Sequence, residues 1–175
     1  MVYVERLLAH PEYRDLQKEI EQLEADRIYC KHEFSHSLDV CRIAWILFLE
    51  EQIASAKAGD LHGAGLLEWK ERIYLTGLLH DIGRVAQYQT GEHHGEAGRR
   101  IARRLLDEIG CPDVWREEIL FVVALHFGRD GEQMQPGTLG DYICRADHSS
   151  RNCFLCSASE TCKWLEAEKN KTITE

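Results

Sequence analysis

The sequence predicts an all-α protein, and three observations support this fold class. Apolar residues recur at helical spacing along most of the 175-residue chain, which is typical of amphipathic helices. No alternating strand pattern of useful length occurs, and glycine-containing stretches separate the helical segments. A chain of this length suits one domain with a sizeable core. We therefore expect a single helical domain over residues 1–175.

Six helices are expected in chain order. Apolar periodicity places them at about 12–28, from Phe34 onward, and at about 67–82, 95–109, 113–127 and 138–149. The glycines of GDLHGAG at 59–65 and the stretch GRDGEQMQPG at 128–137 predict loops. Gly110-Cys111-Pro112 ends the helix over 95–109, because this combination is typical of a helix C-terminus.

Composition and charge narrow the expected partners. The formal net charge of −9 gives no general support for a nucleic-acid partner, since nucleic-acid-binding proteins usually present a basic face. The stretch MVYVERLLAHPEYRD does not have the pattern of a signal peptide, and the longest apolar run, 43–49, is too short to span a bilayer. We expect a cytoplasmic protein without a membrane or nucleic-acid partner; self-association into a homo-oligomer stays open.

Residue types that bind metals lie on apolar helix faces. His36 shares a face with Val40 and Ile43, and the pair His80-Asp81 interrupts the apolar run LTGLLHDIG. The helices that follow contribute His94, His126 and Asp147 in the same way. We call the full set the His/Asp centre: His36, His80, Asp81, His94, His126 and Asp147. A buried imidazole or carboxylate is costly unless it is paired or metal-bound. One such histidine is more often an ordinary core residue, but five helices directing them toward one core indicate a metal site.

The order and separation of these residues resemble the HD domain of metal-dependent phosphohydrolases, which is named after its adjacent His-Asp pair. The segments that carry the resemblance are HSLDVCRIA (36–44), LLHDIGR (78–84), HGEAGRRIA (94–102), ALHFG (124–128) and ADHSSR (146–151). Each segment alone is a weak signal, whereas the set in this order is specific. The resemblance implies an HD-type helical bundle with a metal-binding core.

The resemblance also implies how the His/Asp centre divides between two metals. The first metal would be bound by His36, His80, Asp81 and Asp147. Asp81 would bridge to a second metal, held by His94 and His126, because a carboxylate has two oxygens. His94 is preferred to His93 because Gly98 follows it by four residues, where the family's close helix packing needs a small residue. The expected metals are divalent Fe, Mn, Mg, Co or Ni.

The implied activity is hydrolysis of a phosphate ester or anhydride in a small phosphorylated metabolite, for which a nucleotide is the expected class. Two metals about 3.5–4 Å apart can lower the pKa of a bridging water and clamp phosphoryl oxygens during in-line attack. Three residues after Asp81 the family often has a lysine, whereas this chain has Arg84. Arginine binds phosphate through two parallel hydrogen bonds but is a poor proton donor. We assign Asp81 and Arg84 to catalysis, with Arg84 binding phosphate; a surface arginine is the alternative.

Two other functions remain open at this point. HD-fold diiron oxygenases resemble the same ligand set and activate O₂ at an iron pair, so the ligands alone do not separate the two enzyme classes. The chain also fits a redox-regulated binding module, in which a cysteine site controls the His/Asp centre.

A zinc protease is a further interpretation, because HEFSH at 32–36 matches the H-E-x-x-H pattern. A downstream glutamate such as Glu50 could serve as the third zinc ligand, but nothing in the sequence singles it out. Asp39 and Arg42 stand where the extended metzincin pattern has glycine and histidine. We therefore assign His36 to the His/Asp centre, and the role of His32 stays open.

A second metal site is predicted from the cysteines. The tail over 151–165 contains three of them, Cys153, Cys156 and Cys162. Their C-x₂-C spacing lets two thiolates reach one ion from a tight turn. Candidates for a fourth ligand are Cys30, Cys41, Cys111, Cys144 and His148. If His36 and Asp147 share a metal, then Cys30 and Cys153, each six residues away from one of them, also lie close together. We therefore predict a site for zinc or a [4Fe–4S] cluster, made of Cys30, Cys153, Cys156 and Cys162.

Overall fold

The structure, a computed structural model, describes residues 1–55, 63–126 and 134–173. These ranges contain α-helix, short 3₁₀ turns and no β-strand, which confirms the predicted all-α fold class. The helices are α1 (Val2–Ala9), α2 (Pro11–Leu23), α3 (Phe34–Ser55), α4 (Gly63–Leu79), α5 (Arg84–Thr90), α6 (His94–Glu108), α7 (Asp113–Leu125) and α8 (Leu139–Ser149). After α8 the chain forms 3₁₀ turns at Cys153–Leu155, Ser159–Thr161 and Glu166–Glu168. No helix in the described ranges is both long and apolar enough to cross a membrane.

Helix α4 lies at the middle of the bundle, where it packs against α1, α3, α7 and α8. Its C-terminal segment and the turn that follows, 75–83, are buried at every position. Burial on all sides explains why this segment, LTGLLHDIG, is apolar around the helix rather than on one face. Its two ionisable residues, His80 and Asp81, are therefore held inside the core.

Helix α6 closes the other side of this segment and packs against α5 and α7. It buries Ala97, Ile101 and Leu105, whereas Arg100 and Arg104 are exposed. Those arginines pair with Glu92 and Glu12, but exposed ion pairs contribute at most about 1 kcal/mol each. The buried apolar face, at about 25 cal/mol per Å², is therefore what holds α6 in place.

Two glycines allow neighbouring helices to approach the buried segment closely. A Cβ atom at Gly77 would lie 2.6 Å from Cys41 Sγ and 3.2 Å from the Cys41 backbone nitrogen on α3. At Gly83 it would collide with backbone atoms at the start of α6, the carbonyl oxygen of His94 and the nitrogen of Gly98. Gly83 therefore sets the spacing between the turn that carries Asp81 and the helix that begins at His94.

Several helix boundaries differ from the predicted ones. Periodicity does not predict α1 or α5, because they have only eight and seven residues and show too few repeats. Helix α2 ends at Leu23 rather than near 28, and α4 runs over Gly63–Leu79 rather than 67–82. Positions 63–65 of the predicted loop 59–65 are therefore helical. Residues 59–62 of that loop, and 128–133 of the second predicted loop, lie outside the described residues.

Candidate metal centre

Five segments of the fold meet at the His/Asp centre. His36 lies in the first turn of α3, His80 and Asp81 in the turn after α4, His94 at the start of α6, His126 directly after α7, and Asp147 in the last turn of α8. Each residue thus lies at or near a helix end. The fold brings together all six residues that the sequence selects.

Asp81 faces two groups of imidazoles with its two oxygens. His80 Nε2 lies 3.1 Å from Asp81 Oδ2, and His126 Nε2 lies 3.5 Å from Asp81 Oδ1. On the first side, His36 Nε2 is 3.2 Å from His80 Nε2 and 3.4 Å from Asp147 Oδ1. In both groups, His36/His80/Asp147 and His80/Asp81/His126, the ligand atoms lie within 4.8 Å of one another. This spacing is small enough for each group to share one cation.

His94 lies beside the second side of the centre, although it belongs to neither of the two groups of ligand atoms that lie within 4.8 Å of one another. Its ring centroid is 5.5 Å from that of His126, and the residue is buried, whereas the neighbouring His93 is exposed. Gly98, one turn along α6, lies against Val123 of α7, where an added Cβ would be only 3.1 Å from Val123 Cγ1. The small residue lets α6 bring His94 close to the end of α7.

Backbone and side-chain acceptors orient the rings. His80 Nδ1 lies 2.7 Å from the Gly77 carbonyl oxygen, and His126 Nδ1 lies 2.9 Å from that of Val123. A carbonyl only accepts, so we infer that each Nδ1 carries the proton and that each Nε2 lone pair faces the centre. Such hydrogen bonds are how proteins orient metal-binding histidines.

Ser150 orients His36 in a related way. Its hydroxyl donates to the Asp147 carbonyl oxygen at 2.8 Å, so it is left to accept from His36 Nδ1 at 3.3 Å. His36 Nε2 consequently faces His80 and Asp147. A set of imidazole nitrogens and carboxylate oxygens held in this way fits divalent first-row metals such as Fe, Mn, Co or Ni.

The electrostatics of the centre favour a cation. Burial alone would raise the pKa of Asp81, but electrostatic attraction to the neighbouring His80, His32 and Arg84 outweighs it and holds that pKa well below its ordinary value. Burial alone would lower the pKa of His36, yet hydrogen bonds to Asp147 and Asp81 raise it to about 10. Because the two carboxylates favour positive charge at His36 Nε2, a metal ion can take the place of the proton there.

His94 lies in a different electrostatic environment. Burial, followed by the positive charge of Arg84, lowers the pKa of His94 to about 3. The ring is therefore neutral near pH 7, which is the state in which imidazole binds a metal.

Arg84 lies against the centre rather than on the open surface. Its Nε donates to Asp81 Oδ1 at 2.8 Å, and its Nη1 donates to Gln87 Oε1 at 2.9 Å. The guanidinium therefore orients the carboxylate that faces both groups of imidazoles, a role that the sequence does not indicate.

A buried glutamate is the main site residue that sequence reasoning missed. Glu24 is 1% exposed; its Oε1 lies 2.5 Å from His32 Nδ1, and its Oε2 accepts from the His32 backbone nitrogen at 2.6 Å. Tyr88 also donates a hydrogen bond to this carboxylate. His32 Nε2 then lies 3.9 Å from Asp81 Oδ2, so the ring faces the centre. The H-E-x-x-H match gave a signal for His32, but no spacing pattern indicates Glu24.

The predicted cysteine ligands lie around one cavity. Cys30, Cys153, Cys156 and Cys162 all line a space of about 280 Å³ that also reaches His36, and we call it the thiol cavity. The other candidates for a fourth ligand are not among the described residues that line it. Of these, Cys41 and Cys111 are buried in the core, and Cys144 Sγ donates to the His126 carbonyl oxygen at 3.5 Å.

Comparison with known proteins assigns the family. The family model described as HD domain matches residues 34–152, which is more than half of the chain and includes all six residues of the His/Asp centre. The chain belongs to the HD-domain family. The resemblance seen in the sequence is thereby confirmed, and the four cysteines of the thiol cavity lie outside the matched HD segment.

One relative and one solved structure are similar to this chain over most of its length. An uncharacterized protein of Clostridium beijerinckii is 31% identical over 167 residues, which cover 95% of each chain. The chain also resembles the crystal structure of a protein described as a predicted HD superfamily hydrolase from an uncultured Thermotogales bacterium. The TM-score is 0.56 at 19% identity, covering 89% of this chain and 80% of the other. At that identity the similarity shows a shared HD fold.

Proposed function

We propose that this HD-domain protein is a metal-dependent phosphohydrolase that cleaves a phosphate ester or anhydride of a small phosphorylated metabolite, with a nucleotide as the expected class. The observation that carries the proposal is Asp81, whose Oδ2 faces His80 and His36 while its Oδ1 faces His126. The name of the Thermotogales protein, a predicted HD superfamily hydrolase, supports hydrolysis as the reaction class.

The ligands divide between two positions. His36, His80, Asp81 and Asp147 would hold one divalent metal, and Asp81, His94 and His126 would hold the other. Metals there would supply Lewis acidity that lowers the pKa of water and neutralises charge on phosphoryl oxygens. The Asp147 side chain is 36% exposed, in contrast to 4% for Asp81. Substrate therefore approaches from the Asp147 side, while Asp81 stays in a fixed position beneath it.

Arg84 has two tasks in this proposal. Its Nε keeps Asp81 aligned through the contact at 2.8 Å. A phosphoryl oxygen at the centre would compete with Gln87 for Nη1, because a guanidinium binds phosphate more strongly than a neutral amide. Arg84 does not lose its proton in proteins, so it binds phosphate but leaves proton transfer to another residue.

We assign the proton transfer to His32. Its Nδ1–H donates to the buried Glu24 carboxylate, and its Nε2 faces the centre beside Asp81. A proton held at Nε2 can pass to the leaving oxygen of the substrate. Glu24 stabilises the charged ring, as carboxylates do for catalytic histidines.

Replacing His32 with glutamine tests this role. Phosphate release from an alkyl phosphate ester should fall by about 10²–10⁴-fold, the usual contribution of general acid–base catalysis. Release from a nitrophenyl ester should fall far less, because nitrophenolate leaves without protonation. Metal content should not change. The matched control is His10→Gln, since His10 pairs with Glu108 at 2.9 Å away from the centre. An equal loss with both substrates, or loss of metal, would contradict the assignment.

The proposed reaction itself is tested with purified protein, Mn²⁺ or Fe²⁺, and a panel of nucleotides and other phosphate esters. We expect phosphate release that EDTA abolishes and added metal restores. Oxygen uptake is measured in parallel. Oxygen uptake without phosphate release from any substrate would overturn the proposal in favour of an HD-fold diiron oxygenase.

A further inference from the structure

The four cysteines of the thiol cavity come from two segments that are fastened side by side. Cys30 lies between α2 and α3, and the other three lie in the tail after α8. The Tyr29 hydroxyl donates to the Thr161 carbonyl oxygen at 3.3 Å, which joins the first segment to the second. Asn170 Nδ2 donates to the carbonyl oxygens of His148 and Arg151, each at 2.8 Å, which holds the tail against the end of α8. All four thiols are free and partly buried.

The local backbone brings the C-x₂-C pair to the same space. Residues Cys153–Leu155 form a 3₁₀ turn, and the Cys156 N–H donates to the Cys153 carbonyl oxygen at 3.2 Å. Both thiols line the cavity as a result. A tight turn of this kind is the usual way in which two cysteines reach one metal group.

Two buried cations line the same cavity. Arg151 and Lys169 are each 9% exposed, and both are part of its wall. Lys169 Nζ donates to the Ser159 carbonyl oxygen at 2.6 Å and pairs with the Glu166 carboxylate, so its charge already has a partner in the protein. Arg151 stacks on Trp164, with its guanidinium 4.1 Å from the ring centroid, but its Nη1 is buried and has no hydrogen-bond partner among the described residues. A buried cation without a full set of partners is costly, so Arg151 is placed to face negative charge in the cavity.

Clustered thiols of this kind ionise when a metal group binds them, because coordination removes the proton. The combination of four thiols and the buried Arg151 guanidinium at one cavity therefore fits an anionic metal–thiolate group.

The spacing of the thiols distinguishes between zinc and a [4Fe–4S] cluster, the two metal groups that the sequence leaves open. A tetrahedral zinc ion with Zn–S bonds of about 2.3 Å holds its sulfurs about 3.8 Å apart. Among the described residues, no three thiol sulfurs lie within 4.8 Å of one another. A [4Fe–4S] cluster takes one thiolate at each iron, and its size keeps these thiolates further apart.

We propose that Cys30, Cys153, Cys156 and Cys162 bind a [4Fe–4S] cluster in the thiol cavity, with Arg151 balancing part of its negative charge. His36 lines the same cavity, so the cluster would lie directly beside the His/Asp centre. This proposal does not rest on the phosphohydrolase activity, because cluster binding needs only the residues of the thiol cavity.

The test is the metal and sulfide content of the full chain, purified without oxygen and then incubated with sulfide and equal amounts of Fe²⁺ and Fe³⁺, which supply the two ferrous and two ferric ions of a [4Fe–4S]²⁺ cluster. We expect about four acid-labile sulfides per chain and a brown colour. Sulfide is the informative quantity, because iron bound at the His/Asp centre brings none. One zinc per chain without sulfide would overturn the proposal, and so would protein that takes up no sulfide at all.

Cysteine-to-alanine variants test which thiols bind the cluster. Cys156→Ala and Cys30→Ala should each lose most of the sulfide, whereas Cys111→Ala, which removes a buried thiol outside the cavity, should retain it. Sulfide retained at the wild-type level in both cavity variants would overturn the assignment. If one of these variants does not fold, as judged by circular dichroism, the other variant and the wild-type sulfide and zinc contents still decide the outcome.

Discussion

Replacing Asp81 with alanine is expected to abolish metal-dependent phosphate release and to remove metal from the His/Asp centre. Asp81 is the residue whose oxygens contact His80 on one side and His126 on the other, so its loss affects both metal positions. Changes in residues that merely orient metal ligands cost about 10- to 100-fold. We expect a larger loss here. Phosphate release and metal content per chain are the measurements.

A suitable control for Asp81 is Asp15→Ala, which removes an exposed carboxylate paired only with Lys18 in the described structure. That variant should keep wild-type activity and metal content. An Asp81→Ala protein that is folded and retains both metals and full activity would show that Asp81 does not bridge the two positions.

The second large effect is expected for Gly83→Ala. The added Cβ would collide with the His94 carbonyl oxygen and the Gly98 nitrogen, and backbone atoms cannot rotate away as side chains do. Overpacking of a buried site costs about 1–3 kcal/mol, and more when backbone must move. We expect the free energy of unfolding to fall by at least about 3 kcal/mol. Chemical denaturation followed by circular dichroism measures it.

Gly65→Ala provides the matched control. Gly65 lies within α4, and a Cβ there would meet nothing within 4 Å. Because glycine in a helix is about 1 kcal/mol less favourable than alanine, this variant should be as stable as the wild type or slightly more stable. Equal stability of Gly83→Ala and wild type would mean that α6 does not pack against the Asp81 turn as described.

The residues of the His/Asp centre were predictable because each interrupts an apolar face. A polar residue such as His126 next to Val122 and Val123 has no reason to be there unless it has a partner in the core. Five such interruptions of apolar helix faces identify the residues of the His/Asp centre from the sequence alone. The family match over 34–152 includes all of them.

Other features of the structure could not be predicted, because they depend on contacts between segments that are distant in the sequence. Such contacts leave no periodic pattern along the chain. Helix α1 is too short to show a pattern, and it is stabilised by burying Val4 and Leu7 in contact with α4. Glu24 follows the end of α2, so only the folded chain shows that its carboxylate holds His32. Arg84 likewise pairs with Asp81 because the turn after α4 folds back on itself.

The cysteine site was predictable only in part. Sequence spacing indicated that Cys30 approaches the tail, since His36 and Asp147 were expected to share a metal, and the structure places all four thiols at one cavity. Zinc and a [4Fe–4S] cluster use the same four ligands, so spacing along the chain does not separate them. How far apart the thiols lie in space depends on the fold, and no three of them among the described residues lie within 4.8 Å of one another.

Anomalous diffraction from crystals grown with Mn²⁺ tests the two-metal account of the His/Asp centre most directly. We predict two manganese peaks about 3.5–4 Å apart, one bound by His36, His80, Asp81 and Asp147 and the other by Asp81, His94 and His126. Asp81 should bind both ions, with one oxygen on each. A single peak, or none, at this centre would contradict the account.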